Sequence, residues 1–530
     1  PHECSSAASD VYKRQSINIS RNKLGQILNT EAAQGESKWE VDITRNLVGL
    51  EVERTLPGGV RSVWKRDKSG RPIQHSVSAK EELQTQKRYK WDVNDRLRTI
   101  EDQLKNELIR FEHDLFGNLS AAQYSDSSWD YKLPDEIGNL FKTKDRSDRQ
   151  YGKAGQLLKD ETYTYRYDEV GNLIEKESIT EKWRYQWLQN GMLKTVTRPD
   201  RNKVHFTYDA LGRRLTKTYE GQTTHFVWDG NVPLHEWTTA SDESVFGVSE
   251  PPSGVGMKGK LEFSIPDNLT TWVFEDGTFI PMAKLENGKS YSIVTDHLGT
   301  PVEAYDEEGE KVWSCQLDIY GKIRKIDGKR SLIPFRYQGQ YDDVETGLYY
   351  NRFRYYDSLT GLYLSQDKIG LLGNNPTFYA YAKDTNTFVD FFGLSSTCTI
   401  HRGTNNGLEL AILDETGYLM SDAARKAYME AMYSGAKMDD AIQKALKASQ
   451  DAHAANIAHF GSLEKYMRAH TEKGTEIGGA AARSMISFTT EKSVTSNFGN
   501  SVFSKTVSSD SVTRTVVEGS TESEVFVNHM

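Results

Sequence analysis

Large apolar and polar positions alternate with a period of two along much of residues 85–240, and short polar turns interrupt them at near-regular intervals. In YRYDEVGNL (165–173), Tyr165 and Tyr167 share one strand face, and Asp168 opens a turn that Gly171 and Asn172 close. Related units are YKWDVNDRL (89–97), FEHDLFGNL (111–119), YQWLQNGML (185–193), FTYDALGRR (206–214) and FVWDGNVPL (226–234). Asp168, Leu188, Asp209 and Asp229 follow at intervals of 20, 21 and 20 residues, and Asp92 and Asp114 stand 22 apart. A fixed period of this length signals a repeat architecture. Each unit predicts an antiparallel hairpin, and since one hairpin cannot bury its own face, neighbours must stack into a long sheet.

The pattern changes near residue 394. All ten tryptophans and 23 of the 27 tyrosines precede it. Beyond it, a strand is expected at CTIHRGT (398–404), then helices at 420–435 and 438–460 and a short one at 461–474. Ser421 or Asp422 suits the N-cap of the first helix and Gly435 its end. Strands are expected again at RSMISFTT (483–490), SVFSKTVS, SVTRTVVE and SEVFVN. Residues 395–530 therefore read as a separate α+β domain.

Composition narrows the class. The chain of 530 residues is 27% charged and 37% hydrophobic with 11% aromatics, enough to build a core in more than one domain. Its net charge of −9 argues against a general polyanion binder. Residues 395–530 hold 13 Lys and Arg against 16 Asp and Glu, which weakens a nuclease reading. Cys4, Cys315 and Cys398 are too scattered for a disulfide framework or zinc spacing. No apolar run approaches the ~18 residues of a membrane span. His453, His459 and His470 read as exposed helix residues, and no metal site is expected. Residues 1–15, PHECSSAASDVYKRQ, resemble translated adapter sequence and stand outside the fold reasoning.

The repeat units resemble the YD repeats of rearrangement-hotspot (Rhs) proteins. The resemblance covers 85–394, with the family-type core segment at 291–394, which includes FRYQGQYDDVETGLYYNRFRYYDSLTGLYLSQDKIG. Residues 16–84 fit it weakly. It implies a mainly β shell, a partial hollow β-barrel-like cocoon, followed by a variable toxin domain. The stretch 367–394, DKIGLLGNNPTFYAYAKDTNTFVDFFGL, is similar to the family's terminal motif of two Asp-Pro-x-Gly boxes. Carried over, Asp367 and Asp390 form a self-cleaving acid pair and Leu394–Ser395 is the bond cut, because two close carboxylates divide acid and base roles. Lys368 and Phe391 stand where the family has proline, which removes a backbone constraint on both aspartates.

Three pieces of the last domain carry candidate chemistry. Arg402, at the end of its strand, offers a planar donor fork. In SFTT, Ser487 and Thr489 share one strand face. Glu522 and Glu524 have equal parity, with Cβ atoms about 7 Å apart if extended. Each alone suits an ordinary surface or half-buried strand. In this order they resemble Arg-Ser-Glu class ADP-ribosyltransferases. That resemblance implies NAD as substrate: Arg402, with Gly403 beside it, holds the dinucleotide, Ser487 and Thr489 support the pocket, Glu524 holds a ribose hydroxyl, and Glu522 positions or deprotonates the acceptor. Protein arginine is the favoured acceptor, with nucleic acid left open. The family has another strand after Glu-x-Glu, and six residues follow Glu524 here, so the domain is read as clipped at its end. The expectation is a toxin held in the producer cytoplasm, exported by delivery machinery through a missing N-terminal region into a rival cell, and neutralised by a cognate immunity protein. The alternatives are a structural or adhesive shell with an inactive tail, and an NAD glycohydrolase with water as acceptor.

Overall fold

The computed structural model describes residues 15–240 (except 23–24, 36 and 47–48), 266, 268–368, 370 and 377–394. Beyond Leu394 it describes residues 397–404, 422–434, 436–437, scattered helical positions between 440 and 455, and four further strands. The chain divides into two compact units, one of Pro1–Asp92 and Arg96–Leu394, the other of Val93–Asp95 and Ser395–Met530. No helix among the described residues is long and apolar enough to cross a membrane.

In the first unit every strand pairs antiparallel with its sequence neighbour. An eleven-stranded sheet runs from Gln15–Arg21 to Trp129–Tyr131, and a sixteen-stranded sheet from Gln150–Tyr151 to Ile323–Asp327. The alternation that predicts strands also sets their buried face. In Ser37–Arg45, Ser37, Trp39, Val41 and Ile43 are buried and the residues between them exposed. The described strands within 16–84, weak as repeats, are regular members of the first sheet. Trp39, Val41 and Val77 pack with Val273, Leu285 and Tyr305, so one core joins the two sheets. Trp39 Nε1 donates to Ser292 Oγ at 2.9 Å across it.

The repeat turns explain the spacing. The Asp168 carboxylate accepts from the amides of Val170 (3.1 Å) and Asn172 (2.8 Å), and its second oxygen from Asn172 Nδ2 at 3.0 Å. Asp114, Asp135 and Asp296 repeat the amide pattern two and four residues on. Gly171 takes φ +84°, where a side chain would be strained, and a Cβ there would lie 2.4 Å from Gln366 Nε2, so the Gln366 side chain would have to shift. Leu188 keeps the backbone turn, with Gly191 N donating to Leu188 O at 2.9 Å, but has no carboxylate to cap it.

The described residues of 330–394 dock onto the turn ends of the repeats. The amides of Leu119 and Leu173 donate to the carbonyls of Lys383 (3.2 Å) and Leu364 (2.8 Å), and the Arg214 amide donates to the Tyr350 hydroxyl at 3.0 Å. No strand pairing among the described residues closes either sheet into the barrel-like form that the resemblance implies. Closure requires the two ends of a sheet to meet. Here each sheet is an open meander, and packing of sheet on sheet buries the apolar faces instead.

The second unit contains the helix Asp422–Tyr433 and a five-stranded sheet in the order Ser501–Ser508, Thr397–Thr404, Ile486–Thr489, Ser523–Val527, Val512–Val516. The helix buries Tyr428 and Ala431 against Ala441. The end of the helix expected at 438–460, the one at 461–474, and His453, His459 and His470 lie outside the described residues.

Candidate functional sites

The hairpin Leu348–Asn351/Arg354–Asp357 builds the first site. Its two-residue turn, Arg352-Phe353, leaves Asn351 and Arg354 paired at the strand ends, pointing into the core. Arg354 Nη2 donates to Asp367 Oδ2 at 2.8 Å and lies 3.4 Å from Asp390 Oδ2. One guanidinium thus joins both aspartates. Its flat face lies 3.7 Å from the centre of the Tyr363 ring, and its Nε donates to the carbonyl of Gly393.

Asp390 is fully buried and well supplied with donors. Tyr363 OH donates to Oδ2 at 2.8 Å, and the Leu394 amide donates to Oδ1 at 2.9 Å. Asn351 Nδ2 donates to its carbonyl at 2.9 Å, and its own amide donates to Tyr381 OH at 3.3 Å. Burial pushes the Asp390 carboxyl above its ordinary range, against the pull of Arg354, the Tyr363 hydroxyl and the amides of Leu394 and Gly393. The effect is to pin the chain just before the Leu394–Ser395 bond: the Gly393 carbonyl and the Leu394 amide are each held by a member of the acid–guanidinium cluster.

Phe391 stacks on Phe279 with ring centres 4.9 Å apart, and Lys368 Nζ reaches Met192 Sδ at 3.4 Å. The Asp367 amide donates to the Phe378 carbonyl at 2.9 Å. Sequence reasoning located Asp367, Asp390 and Leu394 but missed Arg354, Tyr363, Asn351 and Tyr381. Arg354 left one signal, a cation inside the aromatic run FRYYD.

The second site is defined by backbone register. Strand Ile486–Thr489 lies between Thr397–Thr404 and Ser523–Val527, antiparallel to both. His401 pairs with Thr489, and Thr489 with Glu524, making one rung across three strands. Ser487 pairs with Phe526. Arg402 lies one residue along from that rung, followed by Gly403. Arg402, Ser487 and Glu524 therefore occupy three adjacent strands of a single sheet. Glu522 lies outside the described residues. Among the described residues no group of three or more His, Cys, Asp or Glu is placed to hold a metal.

Comparison with known proteins follows this geometry. The sequence profile of the Teneurin YD-shell family matches residues 13–232 and 266–385. The chain is 30% identical over 383 residues to double-stranded DNA deaminase toxin A of Burkholderia cenocepacia, covering 67% of this chain and 26% of that protein. It is 26% identical over 284 residues to the probable deoxyribonuclease RhsA of Dickeya dadantii, covering 52% and 18%. The chain thus spans about a quarter or less of these relatives. Among solved structures, TcdB2-TccC3 without its hypervariable C-terminal region is 15% identical, covering 72% of this chain and 24% of that one, with a TM-score of 0.37.

Proposed function

This chain belongs to the Teneurin YD-shell family, and from that premise we propose that it is a piece of an Rhs toxin whose last domain transfers ADP-ribose from NAD to a target macromolecule. One observation carries the reading: the register sets the strands of Arg402, Ser487 and Glu524 side by side, although 122 residues of sequence separate the first from the last.

The mechanism uses this chain's own groups. Breaking the nicotinamide–ribose bond develops positive charge on the sugar, as in glycoside cleavage. Glu524 holds a ribose hydroxyl and stabilises that charge. Ser487 orients Glu524, Thr489 supports the pocket, and Arg402 beside Gly403 grips the pyrophosphate. Glu522 takes the proton from the acceptor, arginine being favoured because its guanidinium must lose a proton to attack. A cognate immunity protein and a secretion route into a rival cell belong to the same reading.

The relatives' printed activities offer a second class, nucleic-acid deaminase or nuclease. A zinc deaminase needs a Cys-x-x-Cys ligand pair. Residues 395–530 contain Cys398 as their one cysteine. Their net negative charge also opposes phosphate-backbone binding.

The test is to incubate the full chain with NAD labelled in the ADP-ribose part and with bacterial lysate. Label on a macromolecule supports the transferase, and free labelled ADP-ribose would point to the glycohydrolase. Intact NAD alongside deaminated or cut DNA would overturn the reading.

We further propose that Asp367 and Asp390 cleave the Leu394–Ser395 bond. The hydrogen bonds that hold Gly393 and Leu394 against the acid cluster support this.

A further inference from the structure

Asp367 and Asp390 share one Arg354 nitrogen, and they share it unequally: Nη2 lies 2.8 Å from Asp367 Oδ2 and 3.4 Å from Asp390 Oδ2. The nearer donor to Asp390 Oδ2 is neutral, the Tyr363 hydroxyl at 2.8 Å. One carboxylate is thus served chiefly by a cation and the other by a phenol. A cation favours the ionised form of its carboxylate more strongly than a neutral donor does.

The direction of the phenol proton is fixed. Asn351 donates two bonds through Nδ2, to the Asp390 carbonyl at 2.9 Å and to the Tyr363 hydroxyl at 2.7 Å. A backbone carbonyl can only accept, so it orients the Asn351 amide with its nitrogen toward this corner. The Tyr363 oxygen therefore accepts from Asn351 and turns its own proton to Asp390. Its ring is held as well, under the Arg354 guanidinium at 3.7 Å, and Tyr363 is 2% exposed. Of the other neighbours, Tyr381 meets the Asp390 amide, the Leu394 amide meets Oδ1 at 2.9 Å, and Lys368 Nζ turns to Met192 Sδ. The Gly393 amide adds to the pull of these donors on the carboxylate.

Oδ2 thus faces two donors, one of them charged, which favours a proton of this carboxyl on Oδ1, the oxygen that meets the Leu394 amide. We propose that Tyr363 is a positioning residue for cleavage of the Leu394–Ser395 bond: by donating to Oδ2 it leaves the Asp390 proton on Oδ1, beside Leu394, and so makes Asp390 the acid and Asp367 the base. This rests on the self-cleavage proposed for the pair. In that step Asp367 takes a proton from water, the water oxygen bonds to the Leu394 carbonyl carbon, and the Asp390 proton passes to the Ser395 nitrogen as the C–N bond breaks. The shared proton then stands on Asp367 instead of Asp390.

The test uses the full chain, isolated unfolded in urea and diluted into buffers across the pH range. Intact mass follows the fragment beginning at Ser395, and tryptophan fluorescence records refolding in the same samples. Tyr363→Phe keeps the ring and removes the hydroxyl. Without that donor Asp390 holds its proton to higher pH. The alkaline limb of the cleavage rate should therefore move up by about one pH unit, and the maximal rate should fall on the order of tenfold. A ring-fluorinated tyrosine placed at position 363 alone keeps the shape and donates more strongly, so it should move the same limb down; it decides if Tyr363→Phe does not refold. Tyr381→Phe removes a hydroxyl that meets the Asp390 amide rather than its carboxylate, and should leave both limbs in place whatever its rate. A fall in rate with unmoved limbs in the position 363 variants, or a shift of the acid limb instead, overturns the assignment of Tyr363. A wild-type chain that refolds and stays whole at every pH overturns the self-cleavage itself, and this inference with it.

Discussion

Arg354 and Asp390 meet 3.4 Å apart with both side chains wholly shielded from solvent, at the end of the shell where the chain passes into its second unit. The same Arg354 nitrogen binds Asp367 at 2.8 Å. The cluster is a three-part ion network, so removing Arg354 leaves both buried carboxylates without their cation.

Arg354→Met should therefore destabilise the chain strongly. Removing one partner of a buried pair costs about 3–5 kcal/mol, and two carboxylates lose their counter-charge here at once. Urea unfolding at neutral pH reads this directly. A loss below about 1 kcal/mol, the value of a surface pair, would show that the network is open to water.

Asp390→Asn keeps the shape and the acceptor oxygen facing the Leu394 amide, so it separates fold from chemistry. The variant should remain folded and stay uncut at Leu394–Ser395, as should Asp367→Asn. Intact mass spectrometry of the purified chain measures this. A fragment beginning at Ser395 in either variant would remove the pair from the proposed cleavage.

Leu188→Asp should stabilise the shell. The turn at Leu188 has the backbone form of its neighbours and lacks the carboxylate that takes two amides at Asp168. Restoring a side-chain cap of this kind is worth about 1 kcal/mol, and Asp168→Ala should lose about as much. Paired denaturation curves for the two variants check both signs.

Asp318 sets a pH dependence. Burial, reinforced by the Asp130 charge, pushes its carboxyl from 3.8 up to about 6, although the amides of Tyr320 and Lys322 bond to it. Because the folded value is the higher one, the folded chain holds this proton more tightly than the unfolded chain. The associated stability is fully present below the ordinary value and is lost as pH rises through about 6. Asp318→Asn retains an acceptor oxygen and should remove that decline, so its urea midpoint should gain on the wild type from acid toward neutral pH and run parallel above.

Glu524→Gln should abolish transfer of label from NAD while leaving secondary structure unchanged by circular dichroism. His401→Ala is the informative companion, since His401 shares a rung with Thr489 and Glu524 and Arg402 lies one residue along. Full activity in Glu524→Gln would sink the assignment of that carboxylate.

What could be read from residues alone was local and periodic. The alternation in Ser37–Arg45, the Asp168–Gly171–Asn172 turn and the change of pattern at 394 depend on neighbours within a few positions, so strand, turn and boundary are written in the order of residues. The aspartates of the terminal motif and the Arg-Ser-Glu order were visible for the same reason, as short strings. Three things were decided only in the tertiary structure: the bridge from Arg354 to Asp367 and Asp390, the meeting of Asn351 and Tyr363 on Asp390, and the open form of the two sheets. Each depends on which distant segments share a desolvated space. Burial and charge balance there arise from the packing of many strands, and no local pattern encodes them.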